Sequence, residues 1–194
     1  MNDWYNDSMK AEKPDLRFTY TDYTHLPEGL SYELIDGDFF MVPAPRPFHQ
    51  IVAARILNAL SRYVEEHDLG EVIPAPCEVK LSEYDVVQPD ILFVSKKRLA
   101  SIKEQYVAGP PDLVVEVLSE SDPSRDTQIK RKFYSRYGVR EYWIADLKGT
   151  VQILRQEQGQ LRVSQTFHSG EVLISPLLGD FRLTLSDVFR PLSA

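Results

Sequence analysis

The chain has 194 residues, 43% of them hydrophobic and 26% charged, a folded-domain composition that excludes an intrinsically disordered chain. No apolar run approaches the ~18 residues a membrane span requires, so no membrane association is expected, and the polar start Met1-Asn2-Asp3-Trp4 lacks an apolar signal-peptide segment. The single cysteine, Cys77, excludes an intrachain disulfide and a thiolate zinc cluster and favours a cytoplasmic setting. The net charge of −7 is not that of a nucleic-acid binder taken whole, yet residues 96–140 hold ten Lys and Arg against six Asp and Glu. Such a basic middle reads as a phosphate-facing surface or as solvated helix and loop faces.

Residues 1–27 read as a polar arm, with Phe18, Tyr20 and Tyr23 able to dock on the body. Tyr32 to Val42 reads as two strands around Asp36-Gly37, a strong hairpin signal. The proline-rich stretch from Pro43 to Pro47 blocks regular structure. From His49 to Asp68, apolar residues at 52, 53, 56, 57, 60 and 64 predict a long helix, with Gly70 as its stop. Glu71 to Leu81 reads as one strand, an edge or bulged one because it contains two prolines.

Strands are expected at Asp90–Val94, at Asp112–Leu118 and at Glu141–Asp146, with a second helix from Asp122 to Tyr137 between the last two. Ser121 or Asp122 serves as its cap, Pro123 lies in its first turn and Gly138 ends it. Beyond this the pattern becomes a β-meander. Strands at 151–155 and 161–167 flank Gln158-Gly159-Gln160, shorter ones follow near 171–174 and 181–185, and a turn near 185–189 closes it. The order predicts one α/β (α+β) domain over residues 28–194 behind the arm.

Two carboxylates stand where a carboxylate is unfavourable. Asp90 opens an apolar strand, and Glu116 lies within Leu113-Val114-Val115-Glu116-Val117-Leu118. An ionised carboxylate there needs a partner, a metal or a raised pKa. By two-residue alternation Glu116 shares its face with Val114 and Leu118, which argues against a solvent-facing side chain. In the second helix, Asp126, Ile129, Lys130, Phe133, Tyr134 and Tyr137 fall within an arc of roughly 140°. Lys130 therefore points inward, whereas Arg131 and Lys132 face outward. It either snorkels to water past the aromatics or is aimed at a site on the sheet. Two strand carboxylates and a lysine suffice for phosphodiester hydrolysis assisted by Mg²⁺ or Mn²⁺. Glu33 is a further site candidate or a polar strand position, and His49 a phosphate or water contact or a packing residue.

Val87-Gln88-Pro89-Asp90, Pro111 to Ser119, and Asp126…Lys130…Tyr134…Gly138 to Asp146 together resemble the Uma-two family of restriction-endonuclease-like proteins with the PD-(D/E)xK nuclease fold. Tyr32 to Gly37 and His49 also match its pattern, and the resemblance spans roughly residues 28–190. It implies a helix–three strands–helix–strand core. It also implies Asp90 and Glu116 as metal ligands, with the Val117 carbonyl as a third. The motif places a lysine two residues after the glutamate, where this chain has Leu118; Lys130 is the natural replacement. The expectation is an Mg²⁺-dependent endonuclease acting on DNA, as a homodimer. A nuclease-fold binding module that has lost catalysis and a small-molecule hydrolase are the alternatives.

Overall fold

Asp36 and Gly37 both take positive φ, 53° and 84°, the conformation of a tight two-residue hairpin turn whose twist matches that of the strands it joins. They fold β1 (Tyr32–Ile35) onto β2 (Asp38–Met41), the hairpin read from the sequence. The structure is a computed structural model describing residues 16–27, 29, 31–118 and 123–192; at the start of the second long helix it describes side chains from Thr127 onward. Trp4, the caps Ser121 and Asp122, and the side chain of Asp126 lie outside the described residues. Ahead of the hairpin, α1 (Tyr20–Thr24) is closed by a Thr19–Asp22 capping box. It buries Tyr23 against Leu34 and Val86, while the Phe18 and Phe39 rings stand 4.8 Å apart. The arm aromatics therefore do dock.

The long helix α2 spans Pro47–Glu66 and begins two residues earlier than expected. Pro47 opens it instead of blocking it, because the first helical residue has no intrahelical use for an N–H. The single strand expected over 71–81 is two: β3 (Gly70–Pro74) and β4 (Val79–Ser82), which belong to different sheets. β5 (Asp85–Val87) follows, then β6 (Ile91–Ser95), a 3-10 segment over Lys96–Ser101, β7 (Val107–Ala108) and β8 (Leu113–Leu118). The second long helix, α3, is Pro123–Tyr137 and leads to β9 (Glu141–Asp146). A hairpin of β10 (Thr150–Glu157) and β11 (Gln160–His168) comes next.

The main sheet runs β11-β10-β9-β8-β6-β3, and the hairpin packs within a smaller one, β2-β1-β5-β4-β7. In the main sheet β8 and β9 are parallel and the other neighbours antiparallel. A parallel pair needs a crossover, and α3 supplies it. Alternation then sorts the side chains. Ile91, Phe93, Leu113, Val115 and Trp143 pack with Val52, Ile56 and Leu60 of α2. Leu92, Val94, Val114, Tyr142 and Ile144 pack with Phe133 and Tyr134 of α3 and with Val79 and Val87 of the smaller sheet.

The meander is only partly as expected. β10 and β11 continue the main sheet, but β12 (Val172–Ile174) and β13 (Arg182–Thr184) pair only with each other among the described strands. Their inward residues Leu173 and Leu183 join the α2-side core, so burial on α2 decides their placement. The closing turn is a short helix, α4 (Leu185–Val188). No helix among the described residues is long and apolar enough to cross a membrane.

Candidate active site

β6 and β8 pair antiparallel with Ile91 opposite Val115. One step further along the same register sets Asp90 opposite Glu116, on the α3 side of the sheet. Asp90 Oδ2 accepts the Val117 N–H at 2.7 Å. On the α2 side, His49 in the first turn of the helix brings Nε2 2.8 Å from the Val117 carbonyl oxygen and 3.4 Å from Asp90 Oδ2. A carbonyl only accepts, so Nε2 carries the proton. His49 Nδ1 is buried with no hydrogen-bond partner among the described residues. The hydrogen-bonding contact with Asp90 raises the His49 pKa, with burial opposing it.

Glu116 is 8% exposed. Its Oε1 accepts from Lys130 Nζ at 3.0 Å and from the Tyr134 hydroxyl at 2.7 Å. Lys130 Nζ also stands 3.2 Å from Glu33 Oε1, which accepts the Gln88 N–H at 3.1 Å. Burial pushes the Glu116 carboxyl up to about 7; Lys130 opposes the rise, and the charges of Asp90 and Glu33 add to it. Burial also pushes the Tyr134 phenol well above its ordinary value.

Glu33, His49, Asp90, Glu116, Val117 and Lys130 all line one pocket of about 650 Å³. The six candidate site residues read from the sequence thus line one pocket. Among the described side chains of the inward arc, Ile129 is the exposed one, at 36%, and it stands at the pocket. Sequence reasoning missed the role of Tyr134, although its position one turn after Lys130 carried the signal. It also missed Phe40, which lines the pocket from β2, and Arg46, which lines it from the β2–α2 connection; neither had a sequence signal.

Several cations of the basic middle are engaged within the chain. Lys96 pairs with Asp68, Arg136 with Asp36, and Arg98 and Arg140 with the buried Asp112. Arg131 donates to the Leu161 carbonyl at 2.7 Å.

The donor set suits a hard divalent cation. Two carboxylates and a backbone carbonyl supply only oxygen. Among the described residues no group of three or more His, Cys, Asp or Glu side chains stands at metal-binding spacing. A small cation held here would keep part of its shell as water or substrate oxygen, as Mg²⁺ commonly does.

A mixed sheet between α2 and α3, with an acidic pocket where β6 meets β8, defines a restriction-endonuclease-like nuclease fold. The chain belongs to the Uma2 family, whose model, described as "Putative restriction endonuclease", matches residues 20–186; its function is nuclease-like. Among solved structures it is similar to "a putative nuclease belonging to DUF820" from Anabaena variabilis. That likeness has a TM-score of 0.74 at 18% identity and covers 89% of this chain and 97% of the other, which establishes the fold. No curated protein matches the chain.

Proposed function

We propose that the chain is a divalent-metal-dependent nuclease that hydrolyses phosphodiester bonds in DNA, with residues 28–194 acting as one catalytic domain. The observation that carries this reading is the contact of Lys130 with Glu116 in the pocket that also holds Asp90. Asp90, Glu116 and the Val117 carbonyl are the residues that would hold Mg²⁺ or Mn²⁺. Bound there, the ion supplies polarisation of the phosphate and acidification of a water molecule.

The chain's own groups have separable roles. Lys130 offsets negative charge that develops on the phosphate, a role open to any fixed cation beside the reacting bond. Glu33 keeps that ammonium in the pocket through its 3.2 Å contact, so we assign Glu33 to positioning the lysine. His49 orients two of the candidate ligands at once, through the Val117 carbonyl and the Asp90 carboxylate. Tyr134 fixes the Glu116 carboxylate by donating to Oε1.

The test is cleavage of DNA by wild type, Asp90→Ala and Glu116→Gln, with Mg²⁺ or Mn²⁺ and with chelator. Metal-dependent cleavage by wild type, lost in both variants, supports the reading. Equal cleavage by all three proteins overturns it. One observation favours a second reading, a binding module without catalysis. Lys130 contacts both Glu116 and Glu33, and His49 engages the Val117 carbonyl, so these groups have partners within the chain itself. Nucleic-acid binding unaffected by chelator, with no cleavage, selects that reading.

A further inference from the structure

The pocket has a second wall that the chemistry above does not use. In the hairpin, Phe40 is the cross-strand partner of Glu33. Directly paired residues on antiparallel strands project from the same face, so the Phe40 ring lies on the side from which Glu33 reaches Lys130. Phe40 is 44% exposed, and Ile129, the residue before Lys130, is 36% exposed. With Pro43 they form an apolar rim beside the carboxylate and lysine groups.

Among the described residues, the polar side of the pocket carries few Lys or Arg side chains. Among the described residues, Arg46 and Lys130 are the cations in its lining, and Lys130 is held between Glu116 and Glu33. Binding of duplex DNA draws on a series of Lys and Arg residues that neutralise successive phosphates. Here Lys96, Arg98, Arg136 and Arg140 are in contact with carboxylates of the chain itself. Single strands offer a different handle, since each unstacked base has a π-face that settles on an aromatic side chain. The volume of about 650 Å³ lies within the range of pockets that enclose one small organic molecule, roughly 300–1,000 Å³.

We infer that this pocket receives one unpaired nucleotide, its base against Phe40 and Ile129 and its phosphate beside Lys130, so that the substrate is single-stranded or frayed DNA and not closed duplex. This rests on the nuclease reading for its chemistry. The base wall, however, is read by binding alone. A closed duplex meets the same pocket only after its base is unstacked, and that penalty is smallest where the strand is already single.

The experiment compares a short fluorescein-labelled single-stranded oligonucleotide with its blunt duplex by anisotropy in Ca²⁺, then by cleavage in Mn²⁺. The single strand should bind at least about tenfold more tightly. Phe40→Ala should weaken it by about tenfold, the loss expected for one stacked base, and Ile129→Ala, which removes only aliphatic contact, should weaken it by a smaller factor. Val163→Ala, on β11 outside the pocket, should leave it unchanged. Equal affinity for the two probes, or unaltered single-strand binding in both wall variants, overturns the inference. Absence of cleavage with the binding preference intact overturns the nuclease reading and supports the base wall.

Discussion

Lys130 and Glu116 meet at 3.0 Å although one belongs to a helix and the other to a strand. The usual nuclease lysine would arrive from the same strand, two residues after the glutamate, where this chain has Leu118. Leu118 shares the Glu116 face by alternation and packs at the margin of the α3-side core. The ammonium that reaches Glu116 in this chain comes from the crossover helix, whose path between two parallel strands carries it over that face. The site is therefore closed by the topology of the β8–α3–β9 unit.

Removing this ammonium should reduce cleavage more than metal binding. Lys130→Met is expected to lower metal-dependent cleavage by about 10²–10³-fold, the range for losing one electrostatic stabiliser. Mn²⁺ binding measured by calorimetry should persist, because all candidate ligands remain. Lys132→Met, on the exposed face of α3, should have far less effect. Equal losses in the two variants would place Lys130 among ordinary surface charges.

Glu33 separates two roles that look alike in a static site. If it positions Lys130, Glu33→Gln should reduce cleavage by about tenfold while leaving Mn²⁺ affinity unchanged, since one of the two carboxylates on Nζ remains. A fall in Mn²⁺ affinity comparable with that of Asp90→Ala would make Glu33 a ligand.

Glu141 governs a pH effect away from the site. It is fully buried and accepts from Trp143 Nε1 at 2.8 Å, the Ser175 hydroxyl at 2.6 Å and the Leu177 N–H at 3.1 Å. Burial raises its pKa, the three donors opposing. A carboxyl whose folded pKa lies above its unfolded value binds more protons folded than unfolded. Its contribution is present below the ordinary carboxylate range and is lost as pH rises through the raised folded value. Urea denaturation at a series of pH values should show this decline in wild type and a flatter profile in Glu141→Gln. Glu141→Ala, which strands three donors, should destabilise the fold by about 3 kcal/mol. An identical pH profile in wild type and Glu141→Gln would assign the effect elsewhere.

Cys77 should prove dispensable. It is a half-buried free thiol whose pKa is pushed up by burial and by the charge of Glu78, which disfavours the reactive thiolate. Cys77→Ser is expected to leave cleavage intact, and alkylation of wild type at neutral pH should be slow. A large loss of metal-dependent cleavage in the serine variant would give the thiol a role that its surroundings do not suggest.

Local pattern was enough wherever a residue's conformation follows from its neighbours. Asp36-Gly37 specified the hairpin because both positions tolerate positive φ. The helical spacing from Val52 to Val64 specified α2 and its buried face. Asp90, Glu116 and Lys130 were conspicuous for one reason: each places charge among mostly apolar or aromatic neighbours, and such a face is buried. Glu33 lacked that contrast, since a glutamate on a hairpin strand is equally at home in water.

What the chain alone determined is thus the set of buried faces and the charges set into them. Tertiary structure decided which of those charges meet. The break between β3 and β4, and the three-residue strand β5, are stabilised by pairing with distant strands and have too few residues for a period to show. The opposition of Asp90 and Glu116 depends on the β6–β8 register, and the sharing of Lys130 between Glu116 and Glu33 depends on a hairpin nearly one hundred residues earlier being packed over α3. Periodicity encodes the direction in which a side chain leaves its own element. The partner it finds there is set by long-range packing, for which a single sequence carries no local signal.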